Sequence, residues 1–185
     1  MAQQATIKRF QVQLSHVDVG AYAALDLRLA QQPSENERFL FTRLLAYCWL
    51  YRDDPQSELT FSKGGITTPE DPAIARTSLD GRLLQWCEVG NPSAERLHKA
   101  LKSAPDVFLF TQHDVERVVA ELSRSQVHRR EELSILALDP TFLDELATTL
   151  PERGGPLDLT IAEDTLYVTA GEQSLSGTLT RHGGA

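Results

Sequence analysis

The chain has 185 residues, 41% of them hydrophobic and 24% charged, which excludes a disordered, collagenous or coiled-coil protein. Lys and Arg number 18 against 26 Asp and Glu, a net charge of −8; this argues against a protein that coats nucleic acid by charge alone. At roughly 100–200 residues per domain, the length predicts a single domain over 1–185.

Residues 5–14 predict a strand, because Phe10, Val12 and Leu14 alternate with glutamines. Leu25, Leu27 and Leu29 alternate with Asp26 and Arg28 and predict a second strand, antiparallel to the first across a connection near Val19-Gly20. Ser34 followed by Glu37 is a capping-box pattern, so a helix is expected from about Glu35 to Arg52, ended by Asp53-Asp54-Pro55. Within it Phe41, Leu44, Leu45 and Cys48 recur at helical spacing. Glu58 to Ser62 predicts a short strand, Lys63-Gly64-Gly65 a turn, and 67–72, with two prolines, a loop. Residues 73–79 and 82–89 flank Asp80-Gly81, a hairpin signal in which both central positions are expected at positive φ.

Ser93 predicts the cap of a helix to about Ser103, and 107–111 is a compact apolar strand. Asp114 predicts the cap of a helix to about Ser123. Residues 125–132 form a polar connection, 133–138 a strand, and a helix starts at Asp139 or Thr141 and runs to Leu150. Gly154-Gly155-Pro156 is expected as a turn, and 157–161, 166–169 and 175–179 as a closing antiparallel set. The fold class is mixed α+β (α/β) around one sheet, with added antiparallel strands from both termini.

Cys48 and Cys87 make no disulfide framework and cannot form a four-ligand zinc site alone. They read as buried, reduced thiols, which fits a cytoplasmic protein. The opening residues carry no basic-then-apolar signal. The densest apolar run, 39–51, is too short to span a bilayer, so no membrane partner is expected.

Chemistry concentrates in the middle of the chain. In the 80–81 hairpin, facing residues sum to about 161, so Asp71 falls within a residue or two of Glu88. Two carboxylates at one sheet end suit Mg2+, which takes one or two carboxylates plus water and phosphate oxygens. Such an ion polarises a phosphoryl oxygen, the requirement of phosphodiester hydrolysis. Glu70 is a rival to Asp71. The alternative for Glu88 is an ion pair with Arg96 or Lys99, since a buried carboxylate needs a partner. Glu35 at its helix start also suits the helix dipole, and Arg43, two turns along the same face, fits a structural ion pair. His98 and His113 lack a partner at ligand spacing and read as surface imidazoles.

A strand-borne acid followed by a Glu-x-Lys-like stretch, within helix, three strands, helix, strand, resembles the PD-(D/E)XK (restriction-endonuclease-like) nuclease core, here about 34–111. More narrowly, the chain resembles the YaeQ family of small bacterial proteins. The resemblance rests on Pro33-Ser34-Glu35, Arg43-Leu44-Leu45-Ala46, Asp71-Pro72-Ala73, Gly81, Trp86-Cys87-Glu88-Val89-Gly90, Arg96 and Lys99-Ala100. It covers the full length and implies a Mg2+-dependent nuclease. Asp71 and Glu88 would bind the metal, Lys99 would steady the attacking hydroxide or the transition-state charge, and Glu35 would support them. The lysine expected two residues after Glu88 is Gly90, and Lys99 on the next helix is the candidate replacement. An expected acid before the hairpin glycine is Ser78. These two departures favour the other class of function, a non-catalytic nuclease-fold domain that binds a protein partner rather than nucleic acid.

Overall fold

The computed structural model describes residues 5–62, 71–125 and 127–183. The expected 63–65 turn, most of the 67–72 loop and Glu70 lie outside the described residues. Within them the fold is mixed α+β, with ten strands and four α-helices. The chain divides into two compact units, Met1–Asp53 with Asp139–Leu179, and Asp54–Leu138 with Thr180–Ala185. The boundary at 53/54 falls inside the 34–111 segment.

In the first unit, β1 (Thr6–His16) and β2 (Ala21–Gln31) form the expected antiparallel hairpin, in register from Thr6↔Gln31 to His16↔Ala21. The connection is one 3-10 turn closed by Gly20 at φ 65, whose N–H donates to the Val17 carbonyl. Side chains alternate across β1, so Phe10, Val12 and Leu14 are buried while Gln11 and Gln13 face outward. β8 (Gly154–Ala162) lies parallel to β1, and β9 (Thr165–Ala170) and β10 (Gln173–His182, counted in this unit as far as Leu179) continue antiparallel from it. The closing set is therefore antiparallel as expected, but its first strand begins three residues early. Gly154-Gly155-Pro156 belongs to β8, because the turn closes before it through Gly154 N–H on the Pro151 carbonyl.

Two helices cover the buried face of this sheet. α1 (Glu37–Leu50) seats Phe41 edge-on against Phe10, ring centroids 5.9 Å apart. α4 (Pro140–Thr149) lays Phe142 so close over β10 that a Cβ on Gly177 would stand 2.3 Å from its ring. Asp139 caps α4 by accepting from Thr141 N–H, as its position before Pro140 predicts. α1 differs at its start. Its cap is Asn36, which accepts from Phe39 N–H, so the Ser34 capping box does not form. Glu37 instead takes the ammonium of buried Lys8 at 3.0 Å. A buried lysine needs a partner, and that tertiary demand outranks the local cap.

In the second unit, β3 (Ser57–Phe61), β4 (Ile74–Ser78) and β5 (Leu83–Val89) form an antiparallel meander. α2 (Ala94–Ser103) then crosses to β6 (Asp106–Thr111), parallel to β5, and α3 (Val115–Arg124) to β7 (Leu133–Leu138), parallel to β6. Ser93 and Asp114 cap α2 and α3 as expected. Leu97 and Leu101 from α2, with Val118 and Leu122 from α3, pack over Trp86, Val107 and Leu109 of the sheet. The β4–β5 register sums to 161 from Ile74↔Cys87 to Arg76↔Gln85 and slips by one between Arg76 and Thr77. The slip comes from the turn. Ser78 N–H donates to the Arg82 carbonyl and Gly81 N–H to that of Ser78, which makes a three-residue loop. Such a loop needs positive φ only at its last residue. Gly81 has φ 84 and Asp80 does not share it.

Among the described residues, no helix is long and apolar enough to cross a membrane.

Candidate functional site

The strand period of two puts Trp86 and Glu88 on one face of β5. Glu88 is 3% exposed. Its Oε1 accepts from Trp86 Nε1 at 2.5 Å and from Arg96 Nε at 2.7 Å. Burial pushes the Glu88 carboxyl above its ordinary value, and the Arg96 and Trp86 donors pull it part of the way back.

Arg96 gets there through local structure. Gly90, at φ 87, ends β5 with its N–H on the Phe110 carbonyl. Ser93 then starts α2, and the first turn of the helix returns Arg96 to the carboxyl end of β5. Arg96 Nη2 also donates to the backbone carbonyl of Asp71 at 2.7 Å. One guanidinium thus ties the glutamate side chain to the main chain of the aspartate. Asp71 is exposed and lies three residues before the first rung of the β4–β5 ladder. Lys99 follows Arg96 by three residues on α2, at neighbouring positions on the helix surface, and is half-buried. Within the second unit, then, Arg96 joins Glu88 to the main chain of Asp71, and Lys99 sits three residues further along the same helix.

Glu35 belongs to the first unit. It precedes the Asn36 cap rather than opening the helix, so the helix-dipole role expected of a first-turn acid falls to Glu37. Its side chain is 7% exposed and that of Arg43 6%. Glu35 Oε2 accepts from Gln32 N–H at 3.3 Å and lies 3.6 Å from Arg43 Nη2, beyond direct hydrogen-bond reach. Arg43 Nη2 donates instead to the Ala30 carbonyl at 2.6 Å. Glu35 Oε1 and Arg43 Nε are buried with no hydrogen-bond partner. Burial raises the Glu35 carboxyl, against the pull of Arg43 and of the Gln32 N–H, and lowers the Arg43 guanidinium, against the pull of Glu35.

This loose pair has a pH signature. A carboxyl raised on folding binds its proton more tightly in the native state. Its contribution to stability is whole below the unfolded pKa, about 4.3, and is lost as pH rises through the folded value. The Glu35→Gln chain is expected to show a smaller fall in stability between pH 4 and 7 than the parent, read as urea midpoints across a pH series. Identical slopes would mean that Glu35 does not carry it.

The donor chemistry around Asp71 and Glu88 is hard oxygen, which fits a divalent cation of the Mg2+ kind. Among the described residues no three His, Cys, Asp or Glu side chains converge, so such an ion would have at most two carboxylates and otherwise water or phosphate oxygens. The Arg96 guanidinium holds Glu88 Oε1, and uptake of an ion there would displace it. The Trp86 contact was legible in the Trp-x-Glu spacing, since residues two apart on a strand share a face. The link from Arg96 to the Asp71 carbonyl had no sequence signal, because it joins a helix to a segment 25 residues earlier.

Residues 1–179 match the family described as "YaeQ protein". The chain is 30% identical over 182 residues to the "Uncharacterized protein YaeQ" of Escherichia coli (strain K12), covering 97% of each chain, and equally to that of Salmonella typhi. Among solved structures it is similar to the YaeQ protein from Pseudomonas syringae, with TM-score 0.85, 29% identity and coverage of 98% and 97%. It is also similar to that from Xanthomonas axonopodis pv. citri, with TM-score 0.83, 26% identity and coverage of 98% and 99%.

Proposed function

The chain belongs to the YaeQ family, and on that footing we propose that it is a Mg2+-dependent phosphodiester hydrolase of the PD-(D/E)XK kind. The observation that carries this reading is the Glu88 cluster. A buried carboxylate with a raised proton affinity stands at the carboxyl end of a strand that runs parallel to its neighbour, beside the helix-borne guanidinium of Arg96, which also holds the main chain of Asp71. The carboxyl ends of parallel strands are where open α/β sheets bind ligands.

In this reading Asp71 and Glu88 hold the ion. When bound, the ion supplies Lewis-acid polarisation of a phosphoryl oxygen. Lys99 presents an ammonium toward charge that develops on the phosphate. Arg96, once released from Glu88, is a phosphate-binding fork. The reading rests on residues of the second unit alone, and the supporting role that the family resemblance implies for Glu35, a first-unit residue, is no part of it. The net charge of −8 points to a weak grip on nucleic acid with slight salt dependence.

Calorimetric titration with Mg2+ or Mn2+ tests the reading. The parent is expected to take up one ion at millimolar metal, and Asp71→Asn and Glu88→Gln to lose that uptake. Arg96→Gln is expected to bind the ion more tightly, because guanidinium and metal compete for one carboxylate. Cleavage of single-stranded DNA, duplex DNA and RNA follows, with Lys99→Ala expected to abolish it. A parent that takes up no ion sinks the hydrolase.

The closed Arg96–Glu88 pair favours a second reading, an inactive nuclease-fold domain that binds a protein partner. There Glu88 is structural. The parent and Arg96→Gln would both be silent toward metal, and no substrate would be cut.

A further inference from the structure

We propose that His98 and His128 form a two-imidazole site for a borderline divalent transition-metal ion such as Zn2+, Ni2+ or Cu2+. The two residues are 30 apart in sequence, one on α2 and the other in the connection from α3 to β7. The structure brings their rings to a centroid separation of 5.6 Å with planes tilted by 57°. With metal–nitrogen bonds of about 2.0–2.1 Å, two imidazoles on one tetrahedral ion have centroids roughly 5 Å apart. The rings stand close to chelating separation. His128 is exposed and His98 half-buried, so an ion can reach them.

Both ligands sit on anchored backbone. His98 lies between Leu97 and Leu101, which are buried in the core of the second unit. His128 is pinned from both sides. Val127 before it is 7% exposed and packs into the same core. Arg129 after it donates from Nη1 to the Leu101 carbonyl on α2 at 2.9 Å and pairs with Glu132. Arg129 has φ 60 and ψ 27, a left-handed conformation that costs an L-residue about 1–2 kcal/mol. Such a residue persists only where its surroundings over-determine it. Its contacts to Leu101 and Glu132 hold His128 against α2.

Among the described residues no third His, Cys, Asp or Glu completes the set. Water fills the remaining positions, and the ion exchanges rather than locking the fold as a four-ligand zinc does. Imidazole nitrogen selects Zn2+, Ni2+ and Cu2+ over Mg2+, which separates this site from the oxygen ligands Asp71 and Glu88.

The test is calorimetric titration of the untagged chain with Zn2+, and continuous-wave electron paramagnetic resonance with Cu2+. The parent is expected to take up one ion with two-nitrogen coordination, undisturbed by excess Mg2+ and unchanged in Glu88→Gln. His98→Gln and His128→Gln, each checked for native circular dichroism, are each expected to weaken binding by roughly tenfold or more, one increment of about 1.4 kcal/mol. His113→Gln, at an exposed position, should bind as the parent does. No saturable uptake overturns the proposal. So does binding that survives loss of either ring, or that falls equally in His113→Gln.

Discussion

Glu88→Ala is expected to destabilise the protein by about 3–5 kcal/mol, the cost of leaving one member of a buried ion pair without its partner. The Glu88 side chain is 3% exposed and that of Arg96 16%, so solvent can do little to compensate the guanidinium left behind. Trp86 Nε1 would lose its acceptor as well, and a buried donor without a partner costs about 1–3 kcal/mol. Glu88→Gln keeps an acceptor oxygen in the same place and removes only the charge, so it should cost markedly less. The paired change Glu88→Leu with Arg96→Met should cost less than Glu88→Ala, since it leaves no uncompensated charge. Urea denaturation of the four chains checks this. A loss below about 1 kcal/mol in Glu88→Ala would place the pair in the range of a solvated surface bridge.

A second large effect is expected at the start of β8. Gly154 has φ 89, and a Cβ there would stand 2.1 Å from the Arg9 carbonyl oxygen and 2.8 Å from the Arg9 carbonyl carbon. Both are backbone atoms of β1, which is held between β2 on one side and β8 on the other, so neither can swing aside. Arg9↔Gly154 is also the first rung of the parallel β1–β8 ladder, and Arg9 N–H donates to the Arg153 carbonyl at 3.0 Å. Gly154→Ala combines the left-handed penalty of about 1–2 kcal/mol with overpacking of about 1–3 kcal/mol, near 3 kcal/mol in all. Gly171→Ala is the control. Gly171 has φ 60, but a Cβ on it would meet nothing within 4 Å, so only the conformational part should appear. Thermal unfolding of the two variants separates the terms, and equal losses would remove the steric part of the argument.

These two sites differ in how much of them a reader of the sequence could foresee. The Trp-x-Glu spacing on a strand already implied that Trp86 and Glu88 share a face, and Arg96 stood among the expected partners of Glu88. The Gly154-Gly155-Pro156 run looked like a turn because glycine and proline are turn residues. What keeps Gly154 a glycine is the close backbone of Arg9, more than 140 residues earlier. The same division applies to His98, whose neighbour His128 is invisible to helical or strand spacing.

Local elements were legible in the order of residues alone. Alternation in β1 and β2, caps at Ser93, Asp114 and Asp139, and the β4–β5 register followed from side-chain periodicity and from hydrogen bonds within a few residues. Long-range packing settled the rest: that β8 runs parallel to β1, that Asn36 rather than Ser34 starts α1, that Arg96 closes over Glu88, and that Glu35 and Arg43 are buried with donors and acceptors left over. Periodicity records which side of an element is apolar, whereas partner choice depends on packing and desolvation among residues that only the folded chain brings together.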